Sequence, residues 1–247
     1  MMNRLPRQAR LNRAMFSQRP LDSGALTVLA TLYHHFREPG DYDIVIQRGG
    51  QTVRRLYVRV EKESGPAQLS FDLADPGDSD ADCCCCDDEP SHVLRLNGVI
   101  AFYVSQGMGQ YTVTITWHSG EEKRVVLDSS AALPEGDLFA VTPVRPGGYS
   151  LTNREAQAQG RIRVAMPRPG KYRPDEVALV EAVEGGFKPE EVSIFAGQSV
   201  VIMCRVPARL RVELTEPEQP GPVEPVPGQP TRQRHTIRRP PRRKPEE

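Results

Sequence analysis

A chain of 247 residues, 38% hydrophobic and 26% charged, falls in the globular range and fills one or two domains, which excludes wholesale disorder and fibrous repeats. Its 32 basic and 32 acidic residues cancel, so no whole-molecule field draws it to nucleic acid or an anionic membrane, although charge is strongly segregated along the chain. The 23 prolines keep helix-forming runs short and no stretch approaches the ~18 apolar residues of a membrane span, which excludes helical bundles and integral helical membrane proteins.

Residues 1–20 form a basic arm, with Arg4, Arg7, Arg10, Arg13 and Arg19 and no acid. The three-residue spacing of the first four gathers them on one side of a helix or polyproline helix, where they can meet phosphates or an acidic protein groove. No apolar run precedes a small-residue cleavage site, so no secretory signal is readable and a cytoplasmic location is expected.

From residue 21 the dominant signal is short, alternating, β-branched runs bounded by Gly, Pro, Asp and Asn, which read as strands. Candidates run through 25–33, 42–47, 52–60, 67–73, 93–104, 111–118, 123–127, 138–142, 149–153, 160–166, 177–182, 191–194, 199–204 and 208–214. With nothing to supply crossover helices, they predict an all-β fold of one or two antiparallel sandwiches. The expected organisation is a first β segment over 21–75, an acidic cysteine-rich loop over 76–91 and a hairpin segment over 92–135 that completes the first sandwich. A second sandwich follows over 136–214, then a Pro/Arg-rich tail over 215–247 whose composition favours disorder.

A weak internal repeat runs through these strands. Gly40-Asp41-Tyr42, Gly109-Gln110-Tyr111 and Gly147-Gly148-Tyr149 each open an alternating strand, and an Arg-led strand follows each at Arg55, Arg124 and Arg161. The near-equal spacing predicts three hairpins of one size, each with a half-buried tyrosine at its entry.

Two stretches carry a resemblance. Pro39-Gly40-Asp41-Tyr42-Asp43-Ile44-Val45-Ile46 and Pro146-Gly147-Gly148-Tyr149-Ser150-Leu151 resemble the closing hairpin of immunoglobulin-like domains. Residues 186–202, running Gly186-Phe187-Lys188-Pro189 to Ala196-Gly197-Gln198-Ser199-Val200-Val201-Ile202, resemble the opening of cupredoxin-like domains. The resemblance implies fold and not chemistry. A blue-copper site needs two His, a Cys thiolate and usually a weak axial Met. After Cys204 come Arg205, Val206, Pro207, Ala208 and Arg209, with no nearby His and no later Met.

Cys83, Cys84, Cys85 and Cys86 are consecutive and flanked by Asp78, Asp80, Asp82, Asp87, Asp88 and Glu89. Four soft thiolates suit Cu(I) or Zn(II), but tetrahedral single-metal sites space their cysteines so that the chain can wrap the ion. An acidic solvated loop is the favoured reading, metal binding the alternative, and no cofactor is assigned. His34 and His35 adjoin a strand without a metal-ligand motif and read as structural. Nucleophile elbows and phosphate loops are absent. Arg238, Arg239, Arg242 and Arg243 form a second basic cluster in the tail, behind a proline-rich run suited to polyproline recognition.

The sequence thus points to a non-enzymatic structural or assembly protein. Arg4, Arg7, Arg10, Arg13, Arg238, Arg239, Arg242 and Arg243 are its expected partner-binding residues, and a protein partner or a second copy is favoured over nucleic acid. The alternatives are a copper- or zinc-handling protein using Cys83 to Cys86 and an accessory subunit of an enzyme.

Overall fold

The computed structural model describes Met15 and residues 19–75, 92–167 and 176–218. Among the described residues there is no α-helix. The first half of the chain forms β1 (Leu21–Asp22), β2 (Ala30–His35), β3 (Gly40–Arg48), β4 (Gln51–Glu61), β5 (Gln68–Asp72), β6 (His92–Arg95), β7 (Val99–Tyr103), β8 (Tyr111–Ser119) and β9 (Glu122–Asp128). The second half forms β10 (Leu138–Val141), β11 (Gly147–Asn153), β12 (Ala158–Ala165), β13 (Ala178–Val183), β14 (Gly186–Lys188), β15 (Glu191–Phe195), β16 (Val200–Cys204) and β17 (Leu210–Pro217).

The three expected hairpins are present as β3–β4, β8–β9 and β11–β12. Tyr42, Tyr111 and Tyr149 sit at or near their strand entries and are buried. Period-two patterning explains the strands. Along β8, Tyr111, Val113, Ile115 and Trp117 point inward while Thr112, Thr114 and Thr116 point out. The expected single strand over 93–104 is instead two, β6 and β7, in different sheets. Asn97 adopts a left-handed backbone (φ 61°) and turns the chain between them.

A seven-stranded central sheet has the order β14-β13-β16-β10-β2-β7-β5. Two five-stranded sheets accompany it, β6-β4-β3-β8-β9 from the first half and β1-β17-β11-β12-β15 mainly from the second. In the central sheet Phe71, Phe102, Leu32, Phe139, Ile202 and Val180 stand in cross-strand register, and all are buried. Their neighbours in sequence on the opposite face are mostly part-exposed. Both five-stranded sheets therefore lie on one face of the central sheet, and their apolar sides form a single continuous core with it.

The expectation of one or two antiparallel sandwiches is corrected: the fold is all-β, but its sheets are mixed and built from coils like those of a β-solenoid. β4 and β6, β5 and β7, β12 and β15, and β13 and β16 pair in parallel. No helix is needed for this, because β4, β5, β6 and β7 alternate between the outer and central sheets, as in a coil of a β-solenoid. Strands two apart in sequence then become parallel neighbours. The second half repeats the coil with β12, β13, β15 and β16, adding the short β14 as a hairpin. The tail expected from residue 215 begins later, since β17 runs to Pro217.

The two halves repeat one design about the antiparallel β2–β10 pair. In each, the first strand pairs in the central sheet, and a Pro-Gly-x-Tyr hairpin follows in an outer sheet. Gly40 and Gly147 enter these hairpins at φ 143° and 142°, a region closed to side chains, and a Cβ there would strike Trp117 and the Glu216 carbonyl. The tyrosine hydroxyls then donate to main-chain carbonyls four residues back, Tyr42 to Glu38 and Tyr149 to Arg145, each at 2.8 Å.

The connection into each half is repeated as well. Leu21-Asp22-Ser23-Gly24-Ala25-Leu26 leads from β1 into β2, and Leu127-Asp128-Ser129-Ser130-Ala131-Ala132-Leu133 leads from β9 into β10. The Ser23 and Ser129 hydroxyls accept the backbone N–H groups of Leu210 and Val113 at 3.1 and 2.9 Å. Leu26 bridges to Tyr111 and Leu133 to Ala208. Thus β1, from the start of the described chain, completes the outer sheet of the second half as β9 completes that of the first.

Candidate functional site: the open face of the central sheet

Cys83 to Cys86 lie outside the described residues, as do Arg4, Arg7, Arg10, Arg13, Arg238, Arg239, Arg242 and Arg243. Among the described residues no three His, Cys, Asp or Glu side chains come together as a metal site. No helix of the described chain is long and apolar enough to cross a membrane.

Chemistry-bearing side chains do meet inside the central sheet. The register of β2, β10 and β16 carries His34, Asp137 and Cys204 into one cross-strand row on the buried face. His34 Nδ1 lies 2.8 and 3.0 Å from the two carboxylate oxygens of Asp137, so this nitrogen carries the proton and donates. The backbone N–H of His35 donates to the same carboxylate at 3.3 Å, and the His35 ring N–H donates to the Gly136 carbonyl. Phe36 packs its ring edge-to-face against His34 and, on its other side, Tyr42, with centroids 4.8 Å apart in each pair. His34 and His35 are thus both held by hydrogen bonds within the sheet.

A His–Asp pair beside a cysteine has the makings of nucleophilic chemistry, but the thiol here is poorly disposed to it. Cys204 is fully buried, and burial, reinforced by the Asp137 charge, pushes its thiol up to about 12. Tyr42 is likewise pushed up to about 12, by burial first and then by the Glu38 carboxylate.

Both shifts favour the neutral group in the folded state, so their contribution is complete below the ordinary values of 9.0 for the thiol and 10.0 for the phenol. It is lost as pH rises from there toward about 12. Stability measured by urea unfolding is expected to fall steeply over this alkaline range, and Cys204→Ala should flatten the part that begins near 9.0. An unchanged slope in that variant would contradict the assignment.

The opposite face of the central sheet has no sheet over it among the described residues. One cross-strand row on it runs Tyr103, Thr31, Ala140, Val201 and Leu179; the next runs Ala101, Tyr33, Leu138 and Met203. Leu179 is 69% exposed and Tyr103 37%, while Ala101 is covered by its neighbours and the rest are part-exposed. No charged side chain interrupts these rows over β7, β2, β10 and β16. Charges appear at the margins, as Asp72 on β5, as Glu181 on β13, which Arg205 pairs, and as Lys188 on β14 in register with Glu181.

The outward faces of the other two sheets are of a different kind. On the first, Arg59 pairs with Asp41 at 2.7 Å and His118 approaches Asp43 at 2.8 Å. On the second, Arg161 meets Glu216, Arg163 meets Glu191 and Arg211 meets Glu213. These faces mix ion pairs with exposed apolar side chains, Val53, Tyr57 and Val125 on the first, whereas the central sheet presents a strip without charge inside a polar rim.

Clefts in the described surface offer less. One of about 360 Å³ lies against Arg161 and Arg163, whose charges Glu216 and Glu191 already neutralise. Another of about 280 Å³ lies beside Phe187 and Lys188. Neither is lined by His34, Asp137 or Cys204.

The face residues are ones that motif reasoning passes over, because they carry no chemistry. Their signal is the unbroken apolar run. Leu138-Phe139-Ala140-Val141 and Val200-Val201-Ile202-Met203-Cys204 lack the polar alternation of β8, as strands covered on both faces do. No protein-family model, curated protein or solved structure matches the chain.

Proposed function

We propose that this is a non-enzymatic structural protein: two all-β halves fused through one shared sheet and docked into a larger assembly by the open face of that sheet. The observation that carries the reading is the contrast between faces. A chain that is 26% charged places ion pairs over both outer sheets and keeps β7, β2, β10 and β16 free of outward charge. Water gives no reason for that difference; a protein partner does. The arginines Arg4 to Arg13 and Arg238 to Arg243 would add charge-assisted contacts to such a partner.

Native electrophoresis of extracts from cells that naturally make the chain tests this. The protein should migrate well above its monomer position, and a Leu138→Lys, Met203→Lys variant should fall to it. A wild-type monomer, or a variant that keeps the large size, would overturn the proposal.

A further inference from the structure

Resting on that reading, we infer that the open face closes on a second copy of this chain, giving a two-fold symmetric dimer.

Side-chain size across the face is self-complementary. Within these two rows each central strand offers one large and one small outward residue, two positions apart: Tyr33 and Thr31 on β2, Leu138 and Ala140 on β10, Met203 and Val201 on β16, while His35 and Val99 stand in a third row beyond Tyr33. Register gathers these large residues into one cross-strand row and the small ones into the next, a ridge beside a trough. On β7 the order is reversed, with Tyr103 in the trough row and Ala101 in the ridge row.

A two-fold axis lying between the copies, parallel to the rows and midway between them, sets each ridge over its partner's trough. Leu138 then faces Ala140 of the partner subunit, Tyr33 faces Thr31 of the partner subunit, and the reversed pair on β7 fits by the same operation. Such a contact is isologous and closes after two copies.

Dimensions and charge favour the same occupant. Neighbouring strands are about 4.8 Å apart and rise about 3.3 Å per residue, so the whole seven-stranded face, margins included, extends about 30 Å across and about 16 Å along the strands. That is about 480 Å² per copy and about 960 Å² in all, close to the ~1,000 Å² expected of a specific interface. A broad sheet face suits another sheet packed about 10 Å away. A single peptide would instead take a groove or a sheet edge. Face-to-face pairing also brings no like charges together in its middle.

Sedimentation velocity of the purified full chain, from 1 to 100 µM in 0.15 M and 1 M NaCl, tests the inference. The expected result is a dimer at both salts, because apolar burial is not screened, whereas contacts between basic arms and acidic loop would fail where the screening length is ~3 Å. Leu138→Lys should weaken the dimer at least ~100-fold, since it buries an unpaired charge in the contact, while its circular dichroism stays that of wild type. Thr31→Arg keeps the test open should the lysine variant misfold. A monomer at 100 µM, or association lost at 1 M salt and indifferent to both substitutions, would overturn the dimer. If the purified chain is monomeric while the complex in extracts still depends on Leu138 and Met203, the self-pairing fails and the docking role stands.

Discussion

Replacing Asp137 by Ala is expected to destabilise the protein by about 3–5 kcal/mol, the cost of stranding one member of a buried pair. The carboxylate takes the His34 ring N–H and the backbone N–H of His35, at the seam where the halves join. Without it, one buried and one part-buried donor lose their acceptor. The desolvation cost of the pair itself is large, so a double replacement, His34→Leu with Asp137→Leu, should be less damaging than Asp137→Ala alone. Urea unfolding measures both. A loss below about 1 kcal/mol for Asp137→Ala would show that the pair is not a brace.

Phe139→Ala is expected to cost a further large amount, about 3–5 kcal/mol. Phe139 is fully buried and lies in register between Leu32 of β2 and Ile202 of β16. Because β10 and β2 pair across the seam and one core runs through both halves, the whole described chain should lose stability together, in a single transition that far-ultraviolet dichroism and tryptophan fluorescence report alike. Trp117 lies in the first half, at the far end of β8. If its fluorescence midpoint stayed fixed while the dichroism shifted, the halves would be independent and the shared sheet would not couple them.

Much of the fold can be read from local pattern. Strands such as Tyr111–Ser119 announce themselves by strict alternation, and the glycine-led Tyr42 and Tyr149 mark hairpins because glycine readily enters at φ near 140°. What local pattern does not carry is which strands pair. Nothing near Gln51–Glu61 indicates that β4 will lie parallel to His92–Arg95, because that neighbour is set by a path through the other sheet. The two-residue β1 has too little sequence to read as a strand, yet Leu21↔Val212 places it beside β17 in the outer sheet of the second half.

The duplicated Leu-Asp-Ser turn was the available clue to the two-half design, and it is short because only its cap chemistry is repeated. At both copies the aspartate accepts a backbone N–H two residues on, from Gly24 and Ser130. The open face was legible only as an excess of apolarity in Leu138–Val141 and Val200–Cys204. The arginines singled out as partner-binding and the cysteine run lie outside the described residues, so their roles rest on composition.

The central claim is that a partner covers the open face, and three methionines test it within one molecule. Met203 stands on that face, while Met108 and Met166 are exposed elsewhere at 48% and 62%. Brief peroxide oxidation of the native assembly, read by peptide mass spectrometry, should convert Met108 and Met166 to sulfoxide and leave Met203 protected. In the Leu138→Lys variant Met203 should oxidise several-fold faster while the other two keep their rates. Equal oxidation of Met203 in wild type and variant would mean that the face meets water, not a partner.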